Sequence, residues 1–166
     1  MKALTLTLTV FLSLTLYSRE LNSCPYLVLD DQDEEITWYD FESAIDECEK
    51  KKKPIFIDVY TDWCGWCKKM DNSTFKNPQV VEFMNENFYA VKMDAESKEP
   101  IAYKEKLYEY KTFSGGKGYN ELAVNLLGSQ MSFPSFVILS KRQVKVGIIR
   151  GYQKPKELIS KLEKYS

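Results

Sequence analysis

Apolar and polar positions alternate along the chain with two different periods, and the periods mark out the elements. Residues 55–60 are apolar except for Asp58, which predicts a strand covered on both faces. Before it, Phe41, Ala44, Ile45 and Cys48 recur at i, i+3, i+4 and i+7, one face of a helix that Asp40 can cap. Glu49 and the lysines 50–53 finish that helix, where positive charge suits the negative end of its dipole, and Pro54 stops it. Residues 64–71 begin a second helix with Cys64 at its N-terminal end. Asn77 and Pro78 read as a cap followed by proline at the first helical position. Val80, Val81, Phe83, Met84 and Phe88 then cover the helix that follows. Residues 36–39 and 88–93 read as further strands. Residues 119–127 are helical by pattern, with Gly128 as the stop. Phe133, Pro134 and Ser135 open a strand over 136–139. A turn at 140–143 leads to an antiparallel partner over 144–149, broken at Gly151. Pro155 starts a last amphipathic helix carrying Leu158, Ile159, Leu162 and Tyr165. Residues 95–118 permit either a hairpin or a charged helix. Within them, Ser114 to Gly118 form a flexible loop without the spacing of a phosphate loop. The order βαβαβ, insertion, αββα is that of an α/β protein.

Composition narrows this picture. With 166 residues the chain suits one domain with a real core, and 44% hydrophobic and 14% aromatic residues argue against disorder. A net charge of -1 gives no electrostatic case for nucleic acid. The sequence has no histidine, which removes imidazole bases, Cys-His and Ser-His nucleophile pairs and His-based metal sites together. Lys2 followed by uncharged residues 3–17 is too short for a membrane span of about 20 residues but suits a secretory h-region. Residues 1–23 are therefore expected to be a signal peptide, with Ser18 and Ser23 as candidate cleavage points, and the protein to be exported, periplasmic or extracellular. Leu21-Asn22-Ser23-Cys24 is an imperfect lipoprotein box, so membrane attachment is expected only if Cys24 is lipidated. Residues 24–35 form an acidic linker and 36–166 the domain.

Four cysteines are too few for a disulfide-stapled mini-domain, and Cys24 and Cys48 do not supply the second close pair that a zinc site wants. Cys48, on an apolar helix face, reads as a core thiol. Cys64 and Cys67 stand two residues apart, so their sulfurs can meet across one helical turn. Half a zinc site, a structural disulfide and a chance pair are the rival readings. The preceding apolar strand and the helical continuation favour a redox-active pair. At a helix N-terminus Cys64 gains unpaired N–H groups and the dipole, which favour its thiolate. Cys67, one turn on, is more shielded and suits the resolving role. Asp58 inside a buried strand needs a reason. Accepting the Cys67 proton is one, and an internal hydrogen bond to backbone is the other.

From Asp58 through Trp63-Cys64-Gly65-Trp66-Cys67-Lys68 to Met70, and again at Phe133-Pro134, the chain resembles the thioredoxin superfamily, in particular exported bacterial thioredoxin-like proteins. The resemblance covers about 36–166. It implies a thioredoxin-like fold, a central mixed β-sheet flanked by helices, with residues 95–118 as an insertion before the cis-proline strand. It also implies that Pro134 is cis and that the Phe133 backbone pairs with an extended substrate peptide beside Cys64. Gly147 and Gly151 fall near the family's glycines. Trp66 stands where the family usually has proline, which favours reductants, or histidine, which favours oxidants, so the direction of electron flow stays open.

The function expected is thiol-disulfide exchange with protein substrates, leaning to reductase or isomerase. Cys64, Cys67 and Asp58 are the catalytic residues, and Trp63, Gly65, Trp66, Phe133 and Pro134 bind substrate. No cofactor and no metal is expected. The partners are cysteine-containing proteins and a thiol-disulfide electron donor or acceptor, and the protein is expected to be a monomer. The alternative is a non-catalytic partner-binding or chaperone-like module on the same fold.

Overall fold

In the computed structural model, which describes residues 34–112, 116 and 118–166, the first four α-helices each begin at a residue whose side chain caps them. The expected signal segment, Cys24, the acidic linker as far as residue 33, and Ser114, Gly115 and Lys117 of the expected loop lie outside the described residues. β1 (Trp38–Tyr39) leads into α1 (Phe41–Lys50), where an Asp40 carboxylate oxygen accepts the Ser43 N–H at 2.8 Å. A cap of this kind contributes about 1 kcal/mol. The helix ends at Lys50, sooner than the lysine run suggested, and Lys51 is already extended. Proline disfavours helical backbone at the residue before it, so 51–53 become the connection to β2 (Ile55–Tyr60).

After β2 come α2 (Gly65–Asp71), one turn of 3-10 helix (Thr74–Lys76), α3 (Pro78–Asn87) and β3 (Tyr89–Asp94). Asn77 caps α3, accepting the Gln79 N–H at 3.1 Å. The insertion takes the hairpin alternative: β4 (Ile101–Tyr103) pairs with β5 (Lys106–Tyr108). Lys104 and Glu105 form its two-residue turn, both at positive φ (49° and 61°), as a primed turn requires. Packing selected this form over a helix. Tyr103 and Tyr108 point into one core cluster, and the Tyr103 ring lies edge-on to Phe41 at 5.2 Å.

β6 (Tyr110–Thr112) pairs with β7 (Gly118–Asn120), so Tyr119 and Asn120 are strand residues, a correction to the helix expected over 119–127. α4 (Glu121–Leu127) starts only after Asn120, whose extended backbone lets its side chain accept the Leu122 N–H at 2.9 Å. β8 (Ser135–Leu139), β9 (Lys145–Arg150) and α5 (Pro155–Leu162) complete the domain. Lys145 and Arg150 on β9 donate to the Leu126 and Leu127 carbonyls at 2.9 Å each, satisfying the open end of α4.

The five-stranded sheet has the order β1-β3-β2-β8-β9. β1 and β2 run parallel to β3, and β8 runs antiparallel to β2 and β9, so the sheet is mixed. Alternation along β2 sends Ile55, Ile57 and Val59 to the cluster under α1 and α4, and Phe56 to the cluster with Met70, Val81, Met84 and Leu158 under α2, α3 and α5. Cys48 is fully buried in the first cluster as a free thiol. Phe56 stacks on Phe136 at 5.3 Å, and truncating such a ring costs about 3–5 kcal/mol. Gly147 is required by a close approach, since a Cβ there would lie 2.2 Å from the Tyr165 hydroxyl.

Candidate functional site

At the end of β2 the chain turns through Thr61, Asp62 and Trp63, and the Cys64 N–H donates to the Thr61 carbonyl at 3.0 Å. Cys64 is the N-cap of α2. Its backbone is extended, and its Sγ accepts the Cys67 N–H at 3.1 Å. The sulfur thus occupies the place that a serine or aspartate oxygen takes at other helix starts. Negative charge on that sulfur is favoured by the N–H and by the helix dipole. Cys64 and Cys67 are joined in a disulfide, with Cα atoms 5.3 Å apart. Cys64 is 5% exposed and Cys67 2%, so Cys67 is the more enclosed of the two. Gly65 opens the helix beside them, and a Cβ there would meet nothing within 4 Å.

The pairing of Val59 with Ser135 brings the start of β8 to the same sheet end. There the Phe133–Pro134 peptide is cis, and the Pro134 carbonyl accepts the Gly151 N–H at 2.9 Å. Gly151 adopts φ +78°, which a residue with a Cβ rarely does. Trp63 packs edge-on to Phe133 at 5.8 Å, and Tyr119 lies 6.1 Å from Phe133 on the same side. Trp66 turns the other way, against Tyr152 at 5.5 Å. Both tryptophans are more than half exposed (59% and 56%), so the disulfide lies between two aromatic flanks.

Asp58 is 1% exposed and lies on the sheet face that α2 covers. Its Oδ2 accepts from the Lys92 ammonium at 2.7 Å, an ion pair set by the register that places Asp58 beside Lys92. Lys92 also pairs with Asp71 near the end of α2, so one ammonium bridges the strand under the motif to the helix that carries it. Rings surround this cation, with Trp38 at 4.8 Å and Phe75 at 5.2 Å. Oδ1 of Asp58 is buried and has no hydrogen-bond partner among the described residues. Burial pushes the Asp58 carboxyl up to about 6, against the pull of Lys92 and with Asp71 adding to the rise. Burial works against the Lys92 ammonium too, yet the two carboxylates hold its pKa above the ordinary value. A carboxyl in this state takes up and releases a proton near neutral pH.

The structure therefore brings Cys64, Cys67, Gly65, Trp63 and Phe133-Pro134 together at one sheet end. Trp66 lies on the far flank of that end, and Asp58 lies in the core beneath α2. Lys92 and Asp71 escaped the sequence reading. Their signal was present as a lone cation in the apolar run 88–93, opposite in sign to the lone anion in 55–60, but only the strand register pairs them. Tyr152 and Lys69 left no signal of their own. Among the described residues no group of three or more Cys, Asp or Glu side chains could hold a metal ion.

The curated relatives matched include spermatogenesis-associated protein 20 of Rattus norvegicus, 33% identical over 93 residues, which is 55% of this chain and 12% of that protein. The chain thus spans only a small part of that relative's length. The thiol:disulfide interchange protein DsbD of Citrobacter koseri is 45% identical over 38 residues, 23% of this chain and 7% of that protein. Among solved structures, a DsbH oxidoreductase superposes with a TM-score of 0.58 at 18% identity, covering 79% of this chain and 84% of that one, and shows the same fold. The fold is thioredoxin-like, with Cys64 and Cys67 as its CxxC pair. Residues 18–148 match the family model Thioredox_DsbH, described as "Protein of unknown function, DUF255", and the chain belongs to that family.

Proposed function

We propose that the protein is a thiol-disulfide oxidoreductase that exchanges dithiol and disulfide with cysteine-containing proteins, working as a reductase or isomerase. The observation that carries this reading is the Cys64 sulfur at the α2 N-cap, accepting the Cys67 N–H and bonded to Cys67. In the reduced protein that N–H and the helix dipole favour the Cys64 thiolate. The thiolate attacks one sulfur of a substrate disulfide. A bond forms between Cys64 and that sulfur, and the other substrate sulfur leaves as a thiolate and takes a proton from solvent. Cys67 then loses its proton and attacks the Cys64 Sγ. The Cys64–Cys67 bond forms, and the second substrate thiolate is released. Two electrons have passed from the dithiol to the substrate, and a thiol-disulfide donor restores the dithiol.

Asp58 is the acceptor for the Cys67 proton, being buried beneath α2, poised near pH 6 and holding one uncommitted oxygen. Trp63, Gly65 and Trp66 line the approach, and the backbone of Phe133 before the cis Pro134 meets the extended substrate segment. Export, read from residues 1–23, suits this chemistry because disulfides persist in oxidising compartments.

Insulin-disulfide reduction with dithiothreitol as donor tests the reading. The parent protein turns over and Cys64→Ala does not. Cys67→Ser accumulates mixed disulfides through Cys64. Absence of turnover, or turnover that survives Cys64→Ala, overturns the proposal. Trapping that requires Cys67 or Cys48 overturns the assignment of roles.

A further inference from the structure

We infer that the Trp66 flank of the disulfide is a specificity subsite, in which Lys69, Trp66 and Tyr152 together take a substrate segment carrying Asp or Glu beside its cysteine. The inference rests on the redox reading above and names the chemistry of the substrate.

Three side chains build the subsite. Trp66 leans on Tyr152 with ring planes 48° apart. The Lys69 ammonium lies 5.0 Å from the Trp66 centroid and 5.3 Å from that of Tyr152. Among the described residues no carboxylate pairs with Lys69. An exposed indole gains from apolar cover, and an ammonium held over two rings gains from an anion. Asp or Glu supplies both, with methylene carbon for the indole and carboxylate for the cation. A Lys or Arg in the same place finds the ring faces already occupied by a cation and meets like charge.

The subsite is held in advance of binding. Gly151 turns the chain at φ +78°, and its N–H is tied to the Pro134 carbonyl. On the other side of Tyr152, the Gln153 carbonyl accepts from the Thr74 hydroxyl at 2.7 Å, and the Gln153 N–H reaches the Met70 Sδ at 3.4 Å. The hydroxyls of Ser73 and Thr74, with Lys69 and Lys154, keep the pKa of the Tyr152 phenol below the ordinary value. These bonds set the place of Tyr152 before binding.

Charge across the disulfide points the same way. On the opposite flank the Trp63 indole N–H donates to Glu96 at 3.0 Å, and the Glu96 N–H is held by Asp94 at 2.9 Å. Asp62 adjoins Trp63 in the chain, while Lys154 follows Tyr152 by two residues and its charge acts on the Tyr152 phenol together with that of Lys69. A substrate segment therefore meets acid on the Trp63 side and base on the Trp66 side.

The test uses disulfide-linked peptide dimers with two Asp, two Lys or two Ser residues on one side of the cysteine, before it or after it. Reduction by the full protein is followed with dithiothreitol as donor. At one of the two placements the Asp peptide is reduced with a kcat/KM about three- to fivefold above the Lys peptide, the ratio that an exposed ion pair supplies. Lys69→Glu reverses that preference when each rate is divided by the same variant's rate on the Ser peptide, which absorbs any change at Cys64 itself. Tyr152→Ala weakens the preference, and salt at about 0.5 M flattens it. Equal rates for Asp and Lys peptides at both placements, or a preference unchanged by Lys69→Glu, overturn this inference alone. No turnover of any peptide, Ser included, overturns the redox reading and this inference with it.

Discussion

Replacing Asp58 by Asn isolates the free-energy cost of holding a carboxylate in this core. Burial lifts the Asp58 carboxyl from 3.8 to about 6, even with Lys92 at 2.7 Å. The folded state therefore binds this proton more tightly than the unfolded chain does. The stabilisation from protonated Asp58 is fully present below about pH 4 and is lost as the pH climbs through about 6. At about 1.4 kcal/mol per pH unit, the loss reaches about 3 kcal/mol by about pH 8. Asn has nearly the same shape and stays neutral throughout. Lys92 keeps Asp71 as a partner in the variant, so its charge is not orphaned. Asp58→Asn is expected to match the parent near pH 4 and to exceed it by about 3 kcal/mol near pH 8, roughly 10 °C in Tm at this chain length. Urea unfolding of the two oxidised proteins, followed by tryptophan fluorescence across that range, measures the difference directly. A difference that stays flat with pH would refute the raised carboxyl. One that favours Asp at high pH would mean that the Lys92 pair outweighs burial.

The same variant should lose the inflection near pH 6 in the rate of Cys67-dependent resolution, seen by stopped-flow release of substrate from the mixed disulfide. Asp71→Asn removes a like charge and leaves Lys92 to Asp58 alone, so carbonyl-carbon NMR titration should place Asp58 below its present value, whereas Lys92→Met should place it above. Asn120→Ala removes the buried α4 cap and a part-buried 3.0 Å bond to the Glu99 carbonyl, and should cost about 2 kcal/mol in urea unfolding. Lys104→Asn combined with Glu105→Gly should gain about 1 kcal/mol, because both positions hold positive φ that the present residues adopt at a cost; a loss would mean that this turn is set by other contacts.

The order of elements around the motif was legible because periodicity reports burial directly. The strand at 55–60, the Asp40 and Asn77 caps and the Pro155 helix start all depend on residues within a few positions of one another. Boundaries were less legible where a residue's role depends on a distant partner. Asn120 reads as helical from its neighbours, but β7 pairing and the Glu99 carbonyl hold it extended. Residues 101–110 satisfy two periods at once, and only the packing of Tyr103 on Phe41 selects the hairpin.

What the chain alone determined was the pair of sulfurs, the helix start at one of them, and the anomaly of an acid in an apolar strand. Each is a local property of spacing and type. Tertiary structure decided the rest. Strand register set Lys92 against Asp58, a helix turn later Asp71 joined them, and the loop at Gly151 carried Tyr152 to Trp66. These partners are 34, 21 and 86 positions apart for Asp58–Lys92, Asp71–Lys92 and Trp66–Tyr152. Charge and ring contacts act over a few ångströms, and only the folded sheet brings residues so distant in sequence within that reach.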